Sequence, residues 1–168
     1  MLRLMGAGCI VAGSGAFGFA MAAASRKEER QLRQVLGILE YLSCELSYRM
    51  TPLPNLCRCA AEGRGGVVSE FFLELARELE MQTEPDAQSC MKSILARTEF
   101  PSSLKRILSE LGQTLGRFDL PGQLRGLELG IRETEQALRM IRDGAPERRR
   151  SWQTLGICVG SALAILFI

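Results

Sequence analysis

The side chains best suited to chemistry are few, and each lacks the partners its chemistry needs. Cys57-Arg58-Cys59 is a C-x-C pair, but no second pair follows and the chain has no histidine. A tetrahedral zinc site needs four such ligands, so a metal centre is not expected, nor is any other cofactor. The absence of histidine also removes the commonest general base. Glu70, Glu74 and Glu78 recur every four residues and could pair for acid–base work, but that spacing is also what a solvated helix face produces. Gly63-Arg64-Gly65-Gly66 lacks the Lys-Ser/Thr that would make it a phosphate loop. Ser69 and Ser109 lie in helical contexts without a nucleophile elbow. The expectation is a protein that is not an enzyme.

The elements that must carry any function are helices. From Glu28 to Met50, Leu32, Val35, Leu36, Leu39, Leu42 and Leu46 keep helical spacing, and Thr51-Pro52 should stop that helix and cap the next. A short helix to Ala61 ends at the glycine-rich turn. Val67–Met81 follows, with Val68, Phe71, Phe72, Leu75, Ala76 and Leu79 on one side. Thr83-Glu84-Pro85-Asp86 has the form of a capping box and opens a helix with Ala87, Met91, Ile94 and Leu95. Pro101-Ser102-Ser103 starts another, carrying Leu104, Ile107, Leu108, Leu111 and Leu115 and ending at Gly116. Asp119 should cap the longest helix, whose apolar positions are Leu124, Leu127, Ile131, Leu138 and Ile141, with Thr134 in the same seven-residue series. No segment alternates as a strand would. The fold class is all-α, an antiparallel bundle of about six helices.

Both ends of the chain differ from this middle. Leu4 to Ala24 carries no charge, and as a helix it would be about 31 Å long, which matches a hydrocarbon core. Trp152 to Ile168 is likewise uncharged and is preceded by Arg148-Arg149-Arg150. Arginines followed by an indole and then hydrocarbon is the order at the cytosolic end of a membrane helix. Arg26-Lys27 follows the first apolar run, so both basic clusters face the middle segment. The expected organisation is an amino-terminal transmembrane anchor (1–25), a cytosolic bundle (26–147) and a basic flank with a carboxyl-terminal transmembrane helix (148–168). A cleaved signal peptide ending near Ala24 is the rival reading, and would make the bundle secreted. Gly8, Ala12 and Ala16, and Gly156 and Gly160, recur at four-residue spacing and could form close packing faces in lipid.

Of 21 Lys and Arg, all but Arg3 fall between 26 and 150, together with all 19 Asp and Glu. This near-neutral middle does not suit a nucleic-acid binder. The six cysteines lack a disulfide framework and read as buried free thiols.

The order Leu111-Gly112-Gln113-Thr114-Leu115-Gly116-Arg117-Phe118-Asp119, with Gln123 four residues on, resembles the stage III sporulation protein AB family. The opening Met1-Leu2-x-Leu4-x-Gly6-Ala7 is similar to it too, as is Arg33 to Leu53 with Leu39, Glu45, Tyr48 and Thr51-Pro52-Leu53. The resemblance covers essentially the whole chain. It implies a component of the channel between mother cell and forespore in endospore-forming Firmicutes, integral to the mother-cell membrane. It also implies a likeness to the helical domains of the platform proteins of type II secretion and type IV pilus systems. The implied partners are a stage III sporulation protein AA-like ATPase and other membrane proteins of that channel. Gly144-Ala145-Pro146 departs from the family's pattern and should break or kink the last helix. Leu115, Gly116, Asp119, Gln123, Thr51 and Pro52 are the candidate structural or interaction residues, with Gly116 in the left-handed conformation and Gln123 tying the junction to a neighbouring helix. A membrane-anchored scaffold or signalling bundle without an export role is the alternative.

Overall fold

The computed structural model describes the backbone of residues 2–49, 51–82, 84–115 and 119–167, and the side chains of 23–48, 51–82, 84–115 and 119–143. Among these residues the chain forms six helices and no strand: α1 (Leu2–Arg49), α2 (Leu53–Ala61), α3 (Val67–Met81), α4 (Ala87–Arg97), α5 (Ser102–Thr114) and α6 (Leu120–Phe167).

Successive helices run up and down. Gln34 on α1 donates to the carbonyl of Gly65 at 3.1 Å, so the α2–α3 turn folds back to the middle of α1. Ser103 at the start of α5 donates to Glu28 at 2.5 Å, which returns the α4–α5 turn to the lower part of α1. Each helix packs on its sequence neighbours, and α1 against α6 closes the ring. Leu39 lies against Gly130, and ten residues back along α1, Glu29 meets Arg142, twelve residues further along α6. The two longest helices are therefore antiparallel. They leave the bundle at one end, the exit end. The turns after α1, α3 and α5 lie at the other, the turn end.

The core follows the apolar spacing. Leu32, Val35, Leu39, Leu42 and Leu46 are buried on α1, together with Ile38. Leu36 and Ile38 flank the stripe on opposite sides at 100° per residue; Leu36 is only half-buried, whereas Ile38 is buried. Phe71 is the centre of the α3 contribution, edge-on to Phe72 at 5.3 Å and to Phe100 at 5.6 Å. Thr134 on α6 is fully buried, and its hydroxyl donates to the Gly130 carbonyl at 2.7 Å. That local bond is why a threonine can occupy a position in an otherwise apolar series.

Three expectations need correcting. Thr51 does not cap α2. The cap residue is Pro52, no side chain caps the helix, and Pro54 lies in its first turn. The helix beyond Thr83-Glu84-Pro85-Asp86 opens only at Ala87, because Asp86 itself is the cap, its Oδ1 accepting from Ser89 N–H at 2.8 Å. The helix does not break at Gly144-Ala145-Pro146. The α6 backbone stays helical from Leu120 to Phe167, since one proline removes a single N–H donor from a helix that continues on both sides.

Candidate functional site

The turn end gathers Thr51, Pro52, Leu115, Asp119 and Gln123 of the candidate structural or interaction residues. Asp119 caps α6 as expected: its Oδ1 accepts from Gly122 N–H at 3.3 Å, and its carbonyl accepts from Gln123 N–H at 3.0 Å. Gln123 is half-buried. Leu115 is a core residue, its N–H closing α5 on the Leu111 carbonyl at 3.1 Å. Gly116, and with it the expected left-handed turn, lies outside the described residues. Gln82 supplies such a conformation instead, at φ 50° after α3. The α1–α6 register places Tyr48, nine residues beyond Leu39, level with the first turn of α6. Tyr48 is 84% exposed and Met81, at the end of α3, is 64% exposed. A shallow cleft lined by Leu53, Leu79, Gln82, Glu84, Pro85, Asp86 and Ala87 lies at this same end. Its lining combines the apolar Leu53, Leu79, Pro85 and Ala87 with the acids Glu84 and Asp86.

The exit end holds Arg26 and Lys27, both exposed. Glu29 links the departing helices. Its carboxylate accepts from Arg33 at 2.5 Å and faces Arg142 at 3.8 Å, and these partners, the Arg33 hydrogen bond first, hold it below the usual carboxylate range. Among the described residues no helix is long and apolar enough to cross a membrane. The two apolar ends lie outside the described side chains, and with them Gly8, Ala12, Ala16, Arg148, Arg149, Arg150, Trp152, Gly156 and Gly160.

Two seams between helices hold charged groups. At the α3–α4 seam Arg97 binds Glu78 at 2.6 Å and faces Glu74 at 3.8 Å. Glu78 is thus not part of a solvated face: its side chain is 14% exposed and one carboxylate oxygen is buried without a partner. At the α5–α6 seam Arg106 reaches Glu110 and Glu133, each at 3.2 Å. Burial, followed by the hydrogen bond and charge of Glu110, pushes the Glu133 carboxyl up.

The cysteines divide. Cys57 is fully buried and its thiol is pushed up to about 12 by burial. Cys90 is buried as well, and burial raises its thiol too. Cys44 and Cys59 are exposed, against expectation, so the two members of the C-x-C pair share no environment. Position explains this, since Cys57 shares the buried face of α2 with Leu56 and Ala60, and Cys59 falls on the opposite side.

One feature escaped the sequence reading. A Cβ on Gly126 would lie 2.1 Å from Thr114 Oγ1, and one on Gly130 would lie 3.3 Å from Leu39. The spacing Gly126-x3-Gly130-x3-Thr134 was visible, but a small-residue ladder points to close helix packing most readily in apolar segments, and this one lies among charges.

Six helices packed up and down in sequence order, the first and last of them long and antiparallel, define an all-helical bundle without a strand among the described residues. The chain belongs to the stage III sporulation protein AB family, whose model matches residues 3–168, and its role lies in sporulation. It is 27% identical to stage III sporulation protein AB of Bacillus subtilis (strain 168) over 172 aligned positions that span the whole of both chains. A solved structure of a stage III sporulation protein AB shares the fold, with a TM-score of 0.65 and 22% identity, covering 72% of this chain and 98% of that one.

Proposed function

We propose that the protein is a non-catalytic membrane platform in a sporulation channel, held by its two apolar ends and presenting its bundle to a cytosolic secretion-type ATPase. The observation that carries this reading is the antiparallel pairing of α1 and α6. Leu39 on Gly130 and Glu29 on Arg142 make both helices leave the bundle at one end. Each is followed outward by basic residues and then an uncharged stretch. Two anchors departing from one end hold a domain against one face of a bilayer, as the placement of both basic clusters requires. The opposite end, with Tyr48 and Met81 exposed, is left to face a soluble partner.

Two measurements test the reading. A reporter fused after Ile168 should lie across the membrane from residues 26–150, with the amino terminus uncleaved; a processed, exported bundle would refute anchoring. The detergent-solubilised full chain should co-purify with a stage III sporulation protein AA-like ATPase. Failure to do so under conditions where both are folded would refute the platform role and favour a scaffold without export.

A further inference from the structure

We infer that the exit end of the bundle is a binding surface for anionic phospholipid headgroups, formed by Arg26, Lys27 and Arg30 of α1 and Lys105 of α5. This rests on the reading that α1 and α6 continue into a bilayer. Most arginines of the bundle are neutralised internally. Arg33, Arg58, Arg97, Arg106, Arg139 and Arg142 each face a carboxylate within 4 Å. Arg26, Lys27 and Arg30 are exposed, Lys105 is half-buried, and none of the four has a carboxylate partner among the described residues. The two acids between them on α1 are engaged: Glu28 accepts from Ser103, and Glu29 is held by Arg33 and Arg142.

Depth agrees with this. The uncharged stretch ends at Ala24, and a helix rises about 1.5 Å per residue, so Arg26 to Arg30 lie within about 9 Å of the hydrocarbon edge. The headgroup layer on one side is about 5–8 Å thick, and long basic side chains reach along the helix toward it. Lys105 comes to the same level because Ser103 is bonded to Glu28. It therefore adds a charge from the bundle itself to those flanking the apolar run. Arg64 marks the upper limit. Its guanidinium lies against Gly37, about 20 Å above the hydrocarbon edge, out of reach of the lipid.

The chain's single tryptophan, Trp152, lies at the start of the carboxyl-terminal apolar stretch and can report lipid contact. The full chain would be reconstituted in vesicles containing acyl-brominated phosphatidylglycerol or acyl-brominated phosphatidylcholine, and tryptophan quenching would give their relative binding constants. The expected result is a preference for phosphatidylglycerol that high salt weakens. Each basic residue near the surface contributes about fivefold in affinity, so R26Q/K27Q/R30Q/K105Q, made and compared in an R148Q/R149Q/R150Q background so that the arginines beside Trp152 do not supply the preference themselves, should abolish most of the preference, and R64Q in the same background should leave it intact. Circular dichroism melts check that both variants are folded. Preference retained in the quadruple variant, lost equally in R64Q, or competed away by inorganic phosphate would overturn the inference. Equal quenching by both lipids would overturn it and leave anchoring standing. Quenching by neither would remove the anchoring reading and this inference together.

Discussion

The α3–α4 and α5–α6 seams each set one arginine against two glutamates, yet they arrange them differently. At α3–α4 both acids belong to one helix. Glu74 and Glu78 are one turn apart, and Arg97 reaches across to them. At α5–α6 the acids come from facing helices, and Glu110 and Glu133 meet each other as well as Arg106. The cause of the difference lies beneath the charges. Gly126 and Gly130 let α6 settle onto Thr114 and Leu111, and Glu110 and Glu133 flank the crevice where they meet. Close backbone approach brings together side chains that a wider helix pair would hold apart. Like charge is kept separate by geometry in one seam; in the other, burial and the neighbouring Glu110 carboxylate together push the Glu133 carboxyl up.

Substitutions can test that contrast, beginning with the largest effect. Phe71→Ala removes the hub of the α3 side and should cost about 3–5 kcal/mol by chemical denaturation, the usual range for a buried phenylalanine. A loss this large on the α5–α6 side would need a different cause. There, Gly126→Ala should cost about 1–3 kcal/mol through overpacking against Thr114, despite the higher helix propensity of alanine. Thr114→Gly should couple to it and recover part of the loss; simple additivity in a double-mutant cycle would show that the glycine contact is not what sets the seam. Arg97→Ala leaves the largely buried Glu78 carboxylate without its cation and should cost about 1–3 kcal/mol. Arg139→Ala, which breaks an exposed i,i+4 pair, should stay within about 0.5 kcal/mol. If the two cost the same, burial at the α3–α4 seam is not the deciding factor.

The caps give a smaller effect. Asp86→Ala should lower stability by about 1 kcal/mol, and Asp119→Ala by less, because its bond to Gly122 is longer at 3.3 Å than the 2.8 Å of Asp86 to Ser89. Equal melting temperatures for the two variants would contradict this ranking. The last test changes a slope more than a height. Glu133 holds its proton more tightly in the native state than in the unfolded chain. Its stabilising contribution is therefore present below the ordinary carboxylate range and is lost as pH rises through its raised native value. Glu133→Gln should flatten that fall in a pH series of melts and be no less stable than wild type at neutral pH. An unchanged pH profile would show that the raised Glu133 carboxyl does not set this slope.

How much of this was legible follows from the kind of signal each feature leaves. Val67–Met81 was readable in full because its apolar spacing, its flanking glycines and its length all agree. Asp119 as a cap was readable for the same local reason. Thr51 was misplaced because a threonine before a proline has the composition of a cap, and only the position of the first helical residue decides otherwise. Glu78 was misplaced because its neighbours Glu70 and Glu74 are exposed, and the arginine that draws it inward lies nineteen residues away. Gly126 leaves no local signal, because its reason for being small is Thr114 on another helix. Local chemistry is written along the chain. Packing between helices is written in pairs of residues that only the fold brings together.

The pairing of the first helix with the last carries a consequence for synthesis. Leu39 finds its partner only when Gly130 has been made, about ninety residues later. Until then the ring is open, and the face of α1 that carries Leu32, Val35 and Leu39 lacks its final neighbour. The bundle is thus completed by the last helix to leave the ribosome. A chain truncated before Leu120 would be a five-helix intermediate with an uncovered apolar seam, the kind of species that proteases and chaperones recognise.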